Sequence, residues 1–326
     1  MTAPRTTAGG SIYDLGYRHY EGARLGRRHA FLALYTASLR QLFGLGRGAR
    51  SKLIPWGLTA MTFLPAVIAL AITAVVGTQT SGSFGSGGAA GGPGVGGPGA
   101  GGPGAGGGSS NPLTSLIGFS GYYGDVSQFL FLFVAAQAPE LLGRDQRFHV
   151  LTLYFSRALR RSDYVLARFS ALATALFGIL LAPQLLLFLG RGLAADDVAA
   201  TLQADLPSLP PTVAQAVVAA LLLSALGLAI AAFSPRRAYA TAAIIAAIIV
   251  PPIVAAVVQG GDLGGLVRFI SVSDVLDRTA AWWFGTPLVT SDVSTPLTPD
   301  RAVIVAVIGT AILLVVLLRR YARIAA

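Results

Sequence analysis

Six runs of about twenty apolar residues recur along this chain, and no other feature narrows its fold so far. A run of that length crosses a hydrocarbon layer of about 30 Å at about 1.5 Å per helical residue. The runs fall at Ile54–Val76, Val126–Leu142, Val165–Leu189, Val213–Phe233, Ala238–Val258 and Ala302–Leu318. Between them the chain is poor in charge: 12% of its 326 residues are Asp, Glu, Lys or Arg, against about 25% in soluble domains. Most of the surface must therefore meet lipid. These observations predict an all-α integral membrane protein with six transmembrane helices, a multi-pass protein of the cell membrane. The first fifty residues are polar and Arg-rich, and the first apolar run is too long and too late for a cleaved signal sequence, so it reads as a retained span.

The net charge of +10 would point to nucleic acid in a soluble protein, but near spanning helices basic residues set orientation instead. Twenty of the twenty-four Lys and Arg fall in segments that alternate onto one side, and four fall on the other. That asymmetry predicts both termini in the cytoplasm and leaves no call for a nucleic-acid partner. The chain has no cysteine, which excludes disulfides, thiolate metal sites and cysteine nucleophiles.

Ahead of the first span, Phe31, Leu34, Tyr35, Leu39, Leu42 and Phe43 share one half of a helix at 100° per residue, with Thr36, Arg40 and Gln41 opposite. The pattern predicts an amphipathic helix in the membrane interface, ended by Gly44, Gly46 and Gly48. The chain accordingly divides into a cytoplasmic segment, residues 1–53, and a transmembrane domain, residues 54–326. Within the latter, residues 82–108 are almost only Gly, Ala, Pro and Ser. Such a stretch has nothing to bury against its ordering entropy and reads as an extracytoplasmic tether. Pro183 predicts a kink in the third span, and Pro251-Pro252 a bend or break in the fifth.

Chemistry on the chain itself is sparse. His19, His29 and His149 lack partners at ligand spacing, so no metal site is expected. Gly44-Leu45-Gly46-Arg47-Gly48 lacks the Lys-Ser/Thr pair of a phosphate loop, and no nucleophile–base grouping is evident. Catalysis and bound cofactors are not expected on this chain. Gln128, Gln137 and Gln184 lie within the spans, where amides serve helix–helix hydrogen bonding.

The most informative segment is the basic stretch after the second span, which runs from Glu140 through Arg144, Arg147, Leu151, Tyr154, Ser156-Arg157, Arg160-Arg161 and Tyr164 to Arg168. It resembles the region of ABC-2-type transporter permeases in which a charged stretch closes the second helix, a short helix follows, and a Ser-Arg turn leads into the third. Ala158 stands where that family often has Pro. The resemblance extends to a surface helix before the first span, six spans, and an interfacial region between the fifth and sixth. It implies a membrane-spanning subunit of an ATP-driven exporter, paired with a second permease copy or homologue and with cytoplasmic ABC ATPase subunits that hold the ATP and Mg. It also implies that Arg147, Leu151, Tyr154, Ser156, Arg157, Arg160, Arg161 and Tyr164 form the segment coupled to the ATPase. Positive-inside anchoring accounts for the same arginines without a partner. A non-transporting anchor or signal transmitter coupled to an ABC ATPase is the alternative function.

Between the fifth and sixth spans, a half-apolar stretch with Phe269 and with Trp282-Trp283 predicts short helices at the outer interface. These aromatics are candidates for an outer exit site, or simply for headgroup-level anchors. Spans of Ala, Leu, Ile and Val without deep charges would solvate an ion or sugar poorly, which favours a hydrophobic or amphipathic cargo.

Overall fold

The computed structural model describes residues 26–46, 48–83, 119–147, 159–195, 197–234, 236–258, 262–285 and 297–324. The N-terminal approach segment, the Gly-rich stretch beyond Ser83 and residues 148–158 lie outside this set. Every described element is helical. In chain order these are α1 (Gly26–Leu42), α2 (Ala49–Ser83), α3 (Phe119–Arg147), α4 (Arg161–Ala194), α5 (Val198–Asp205), α6 (Leu209–Phe233), α7 (Arg237–Val257), α8 (Asp262–Ile270), α9 (Val272–Phe284) and α10 (Pro299–Ile324). Helices α2, α3, α4, α6, α7 and α10 are long and apolar enough to cross a membrane.

Each spanning helix outruns the apolar run that predicts it. The helical ladder satisfies its own backbone groups, so nothing forces it to stop where side chains turn polar. At 34 residues, α4 is about 51 Å long against a hydrocarbon core of about 30 Å. The helix also runs through Pro183, as α7 does through Pro251 and Pro252. Of the bend or break expected in the fifth span, the break is absent.

Burial separates a centre from a periphery. The most apolar stretch leading through α6 is 67% buried and that of α3 61%, whereas α10 reaches only 17%. Small residues explain the position of α6: Ala216, Ala219, Ala220, Gly227, Ala231 and Ala232 are buried along it, which lets neighbouring backbones approach closely. At Gly227 a Cβ would stand 2.5 Å from Val134 Cγ1 and 3.0 Å from the Ala138 Cβ of α3. Leu222, Leu223 and Leu228 fill the remaining space, with Leu130, Phe133, Leu172 and Leu176 in the same core.

The apolar stripe of α1 is turned toward this core. Leu34, Ser38 and Leu42 are buried, and Phe31, Tyr35, Leu39 and Phe43 pack against it, while Arg40 and Thr36 stay exposed. Helix α1 lies along α4, with Tyr35 Oη donating to Thr174 Oγ1 at 3.1 Å. The chain then reverses at Gly44 and Gly46, both at positive φ (63° and 85°). At Gly44 a Cβ would meet the Ser51 carbonyl oxygen at 2.9 Å, so this turn needs glycine for space as well as for conformation.

Two short helices stand between the fifth and sixth spans, where the sequence places them. Ser271 caps α9, its side chain accepting from the Asp274 amide, and Gly285 ends it at φ 63°.

Candidate functional site

One end of the bundle, where α4 and α7 begin and α3, α6 and α10 end, carries a connected set of polar side chains. We call it the basic end. Asp145, three residues from the start of the segment 148–158, and Arg168, two turns into α4, form a buried ion pair. Asp145 Oδ2 also accepts from the Tyr164 hydroxyl at 2.7 Å. The other edge of the Arg168 guanidinium reaches α1, donating to Ser38 Oγ at 3.1 Å and to Gln41 Oε1 at 2.9 Å. Gln41 passes the connection on through Nε2 to the Glu140 carbonyl at 2.9 Å.

Around this core the remaining helices are tied in. Gln146 Nε2 donates to the Tyr321 hydroxyl at 2.8 Å and, more weakly, to the Ala232 carbonyl at 3.4 Å. Tyr164 and Tyr321 stack obliquely with ring centroids 5.5 Å apart, and the Arg168 guanidinium lies 5.4 Å from the Tyr164 centroid. Arg161 Nη1 donates to the Ala322 carbonyl at 2.7 Å, and Arg237 pairs with Glu140 at 3.0 Å. With Trp56 Nε1 of α2 donating to the Phe43 carbonyl just past α1 at 3.2 Å, every spanning helix, together with α1, contributes a side chain or a carbonyl to this end.

At the first turn of α4, Asp163 accepts from the Arg160 amide at 3.2 Å and clamps Nε and Nη2 of Arg27. That hydrogen bond raises the pKa of the exposed Arg27 guanidinium further above its ordinary value.

The physics of such a cluster is geometric selectivity. Taking a carboxylate and a guanidinium out of water costs several kcal/mol per ion, and only close, fully hydrogen-bonded geometry offsets this. A small displacement of α1, α3 or α4 would forfeit that compensation, so these helices move together or not at all. The cluster offers no acid–base or nucleophilic grouping, and no His, Cys, Asp and Glu set among the described residues can hold a metal.

Of the residues singled out for coupling, Leu151, Tyr154, Ser156 and Arg157 lie outside the described residues, and Arg147 ends α3. Arg160 and Arg161 open α4 at the surface of the basic end. Tyr164 is fully buried, so it acts on a surface partner only through the helices it holds together. Sequence reasoning passed over Asp145, Arg168, Gln41, Gln146 and Tyr321 as a set. Its available signal was Asp145, an acid flanked by Arg144 and Arg147 and close to the level of Arg168 across the α3–α4 hairpin.

The opposite end is built differently. Gln215 Nε2 donates to the Leu276 carbonyl at 3.0 Å and its Oε1 accepts from Thr279 Oγ1 at 3.0 Å. Arg278 is buried and donates to the Leu297 carbonyl. Trp282 and Trp283 meet edge to face with centroids 4.4 Å apart; Trp282 is exposed and Trp283 half-buried. Phe269 packs against the core from α8. Among the expected bridging amides, Gln128 is exposed and Gln184 is buried with Oε1 unpartnered among the described residues. Among the described residues the amides that join helices are Gln41, Gln146 and Gln215.

The fold and this site define a multi-pass helical membrane protein fastened at one end by buried charge. No protein-family model and no curated protein matches the chain.

Proposed function

We propose that this chain is the membrane-spanning permease subunit of an ATP-driven exporter of the ABC-2 type. Both termini lie in the cytoplasm, the basic end faces the cytoplasm, and segment 148–161 meets a separate ABC ATPase subunit. The observation that carries this reading is the buried Asp145–Arg168–Tyr164 cluster. It joins the end of α3 to the start of α4, the two helices that the segment connects, and holds α1 to both, so a push on the segment would be delivered to three helices at once. A second permease copy or homologue completes the assembly, and the apolar spans favour a hydrophobic or amphipathic cargo.

Cysteines placed one at a time at positions 151–158 test the partnership. Crosslinking to a co-isolated ATPase, whose activity responds to amphipathic compounds, is the expected result. If no ATPase co-isolates and these positions stay fully accessible in native membranes, the reading fails. An ATPase that couples without moving any compound in vesicles would instead make the chain a signal transmitter. Orientation is checked separately: an impermeant thiol reagent outside should label Ser208→Cys and spare Ser51→Cys and Ser162→Cys, and the reverse pattern overturns it.

A further inference from the structure

We infer that the cavity where the first turn of α1 meets the first turn of α4 receives the phosphate of an anionic phospholipid. The cavity measures about 470 Å³ and is lined by Arg27, Arg28, Phe31, Leu32 and Asp163. Its level in the membrane follows from helix length. Helix α4 exceeds the hydrocarbon thickness by about 20 Å, so each end projects about 10 Å into the headgroup layer. Asp163, in its first turn, sits at that depth.

Charge decides the sign of the ligand. The first turn of α1 holds Arg27, Arg28 and His29 and no acid, an arrangement that the helix dipole disfavours unless an anion is near. Among the described residues Asp163 is the one carboxylate lining the cavity, and it is spent on Nε and Nη2 of Arg27. That contact holds Arg27 in place and leaves its Nη1 edge available. Arg28 is exposed and has no hydrogen bond or ion pair with a described residue. Two guanidinium groups, one clamped and one without a partner among the described residues, match a phosphodiester.

The apolar half of the lining selects a lipid over a soluble phosphate. Leu32, one helical turn beyond Arg28, is 56% exposed, and Phe31 is half-buried beside it. A ligand that meets arginine with one part and leucine with the next is itself amphipathic, as a headgroup and the start of its acyl chains are. This inference rests on the six-span architecture and is independent of the exporter reading.

The test uses the full chain in nanodiscs of phosphatidylcholine with a minor fraction of phosphatidylglycerol, with retained lipid counted by native mass spectrometry. Arg28→Gln removes a side chain without partners among the described residues. Arg40→Gln removes the same charge from the exposed face of the same helix, outside the cavity. At about 1 kcal/mol for a basic residue near the surface, Arg28→Gln should lower the preference for phosphatidylglycerol about fivefold, while Arg40→Gln leaves it unchanged. A photoreactive residue at Leu32 should capture phosphatidylglycerol beyond its share of the bilayer. Equal loss in both variants would mean diffuse attraction and overturn the site. Displacement of the lipid by millimolar inorganic phosphate would assign the cavity to a soluble anion instead. Loss of a co-isolated protein from Arg28→Gln, with lipid retention intact, would assign it to a protein partner and likewise overturn the proposal.

Discussion

The two ends of the bundle solve the same problem with different chemistry. At the basic end the helices are joined by ions: Asp145 and Arg168 are buried, and each holds more than one partner. At the opposite end neutral joints stand beside charged ones: Gln215 of α6 bonds to Leu276 and Thr279 of α9, Arg191 of α4 pairs with Asp205 of α5 at 3.4 Å, and the buried Arg278 donates to the Leu297 carbonyl. Neutral hydrogen bonds contribute about 0.5–1.5 kcal/mol each and tolerate rearrangement. Buried ions do not, since a stranded charge costs several times more. The comparison teaches that the basic end gathers α1, α3 and α4 on one buried ion pair, whereas at the opposite end the joint of α6 to α9 through Gln215 is neutral.

The contrast is sharpest in Arg168→Met, which strands the Asp145 carboxylate. It should cost about 3–5 kcal/mol, read as a large fall in thermal midpoint or loss of monodisperse protein. Adding Asp145→Asn should restore much of the loss, because both ions are then gone. A single variant as stable as the parent would end the idea of a charged lock. Next in size, Gln215→Leu should cost about 1–3 kcal/mol through unsatisfied neutral groups; a loss exceeding that of Arg168→Met would invert the comparison.

Smaller effects mark the edges of both regions. Trp282→Ala should cost about 0.5–1.5 kcal/mol, the worth of an aromatic pair beyond its burial. On the exporter reading, together with Trp283→Ala it should lower export more than the yield of folded complex. Equal loss of both would leave the tryptophans as anchors. Least of all, Arg237→Gln should change stability by about 0–1 kcal/mol, because Arg237 is half exposed and its pairing with Glu140 is screened. A marked destabilisation there would extend the lock to α7.

How far the sequence was legible follows from the kind of signal each part leaves. Spans are legible because lipid acts as a single solvent on every residue of a run, and all six appear where the apolar stretches stand. Helix ends are less so, since the backbone ladder continues past Leu142 to Arg147 and begins at Arg161 rather than Val165. The stripe of α1 is visible in its periodicity, but periodicity names a face and not what covers it. Here the cover is α4 and the core. The site was least legible. Arg168 and Asp145 look like ordinary members of a basic stretch, and only the pairing of α3 with α4 turns them into a buried pair. At Pro251-Pro252 the sequence left a bend and a break open, and the helix continues unbroken, as spanning helices do where neighbours satisfy the freed backbone groups.

The packing of α1 also sets an order of events during synthesis. Ser38 waits for Arg168, 130 residues later in the chain, and at about 5–20 residues per second that interval lasts roughly 7–26 s. Through it the stripe of Leu34, Tyr35, Leu39 and Leu42 has no α4 to cover it and must rest on the bilayer or on the insertion machinery. Once α4 is in place, the same residues pack against it and the core and close the finished protein.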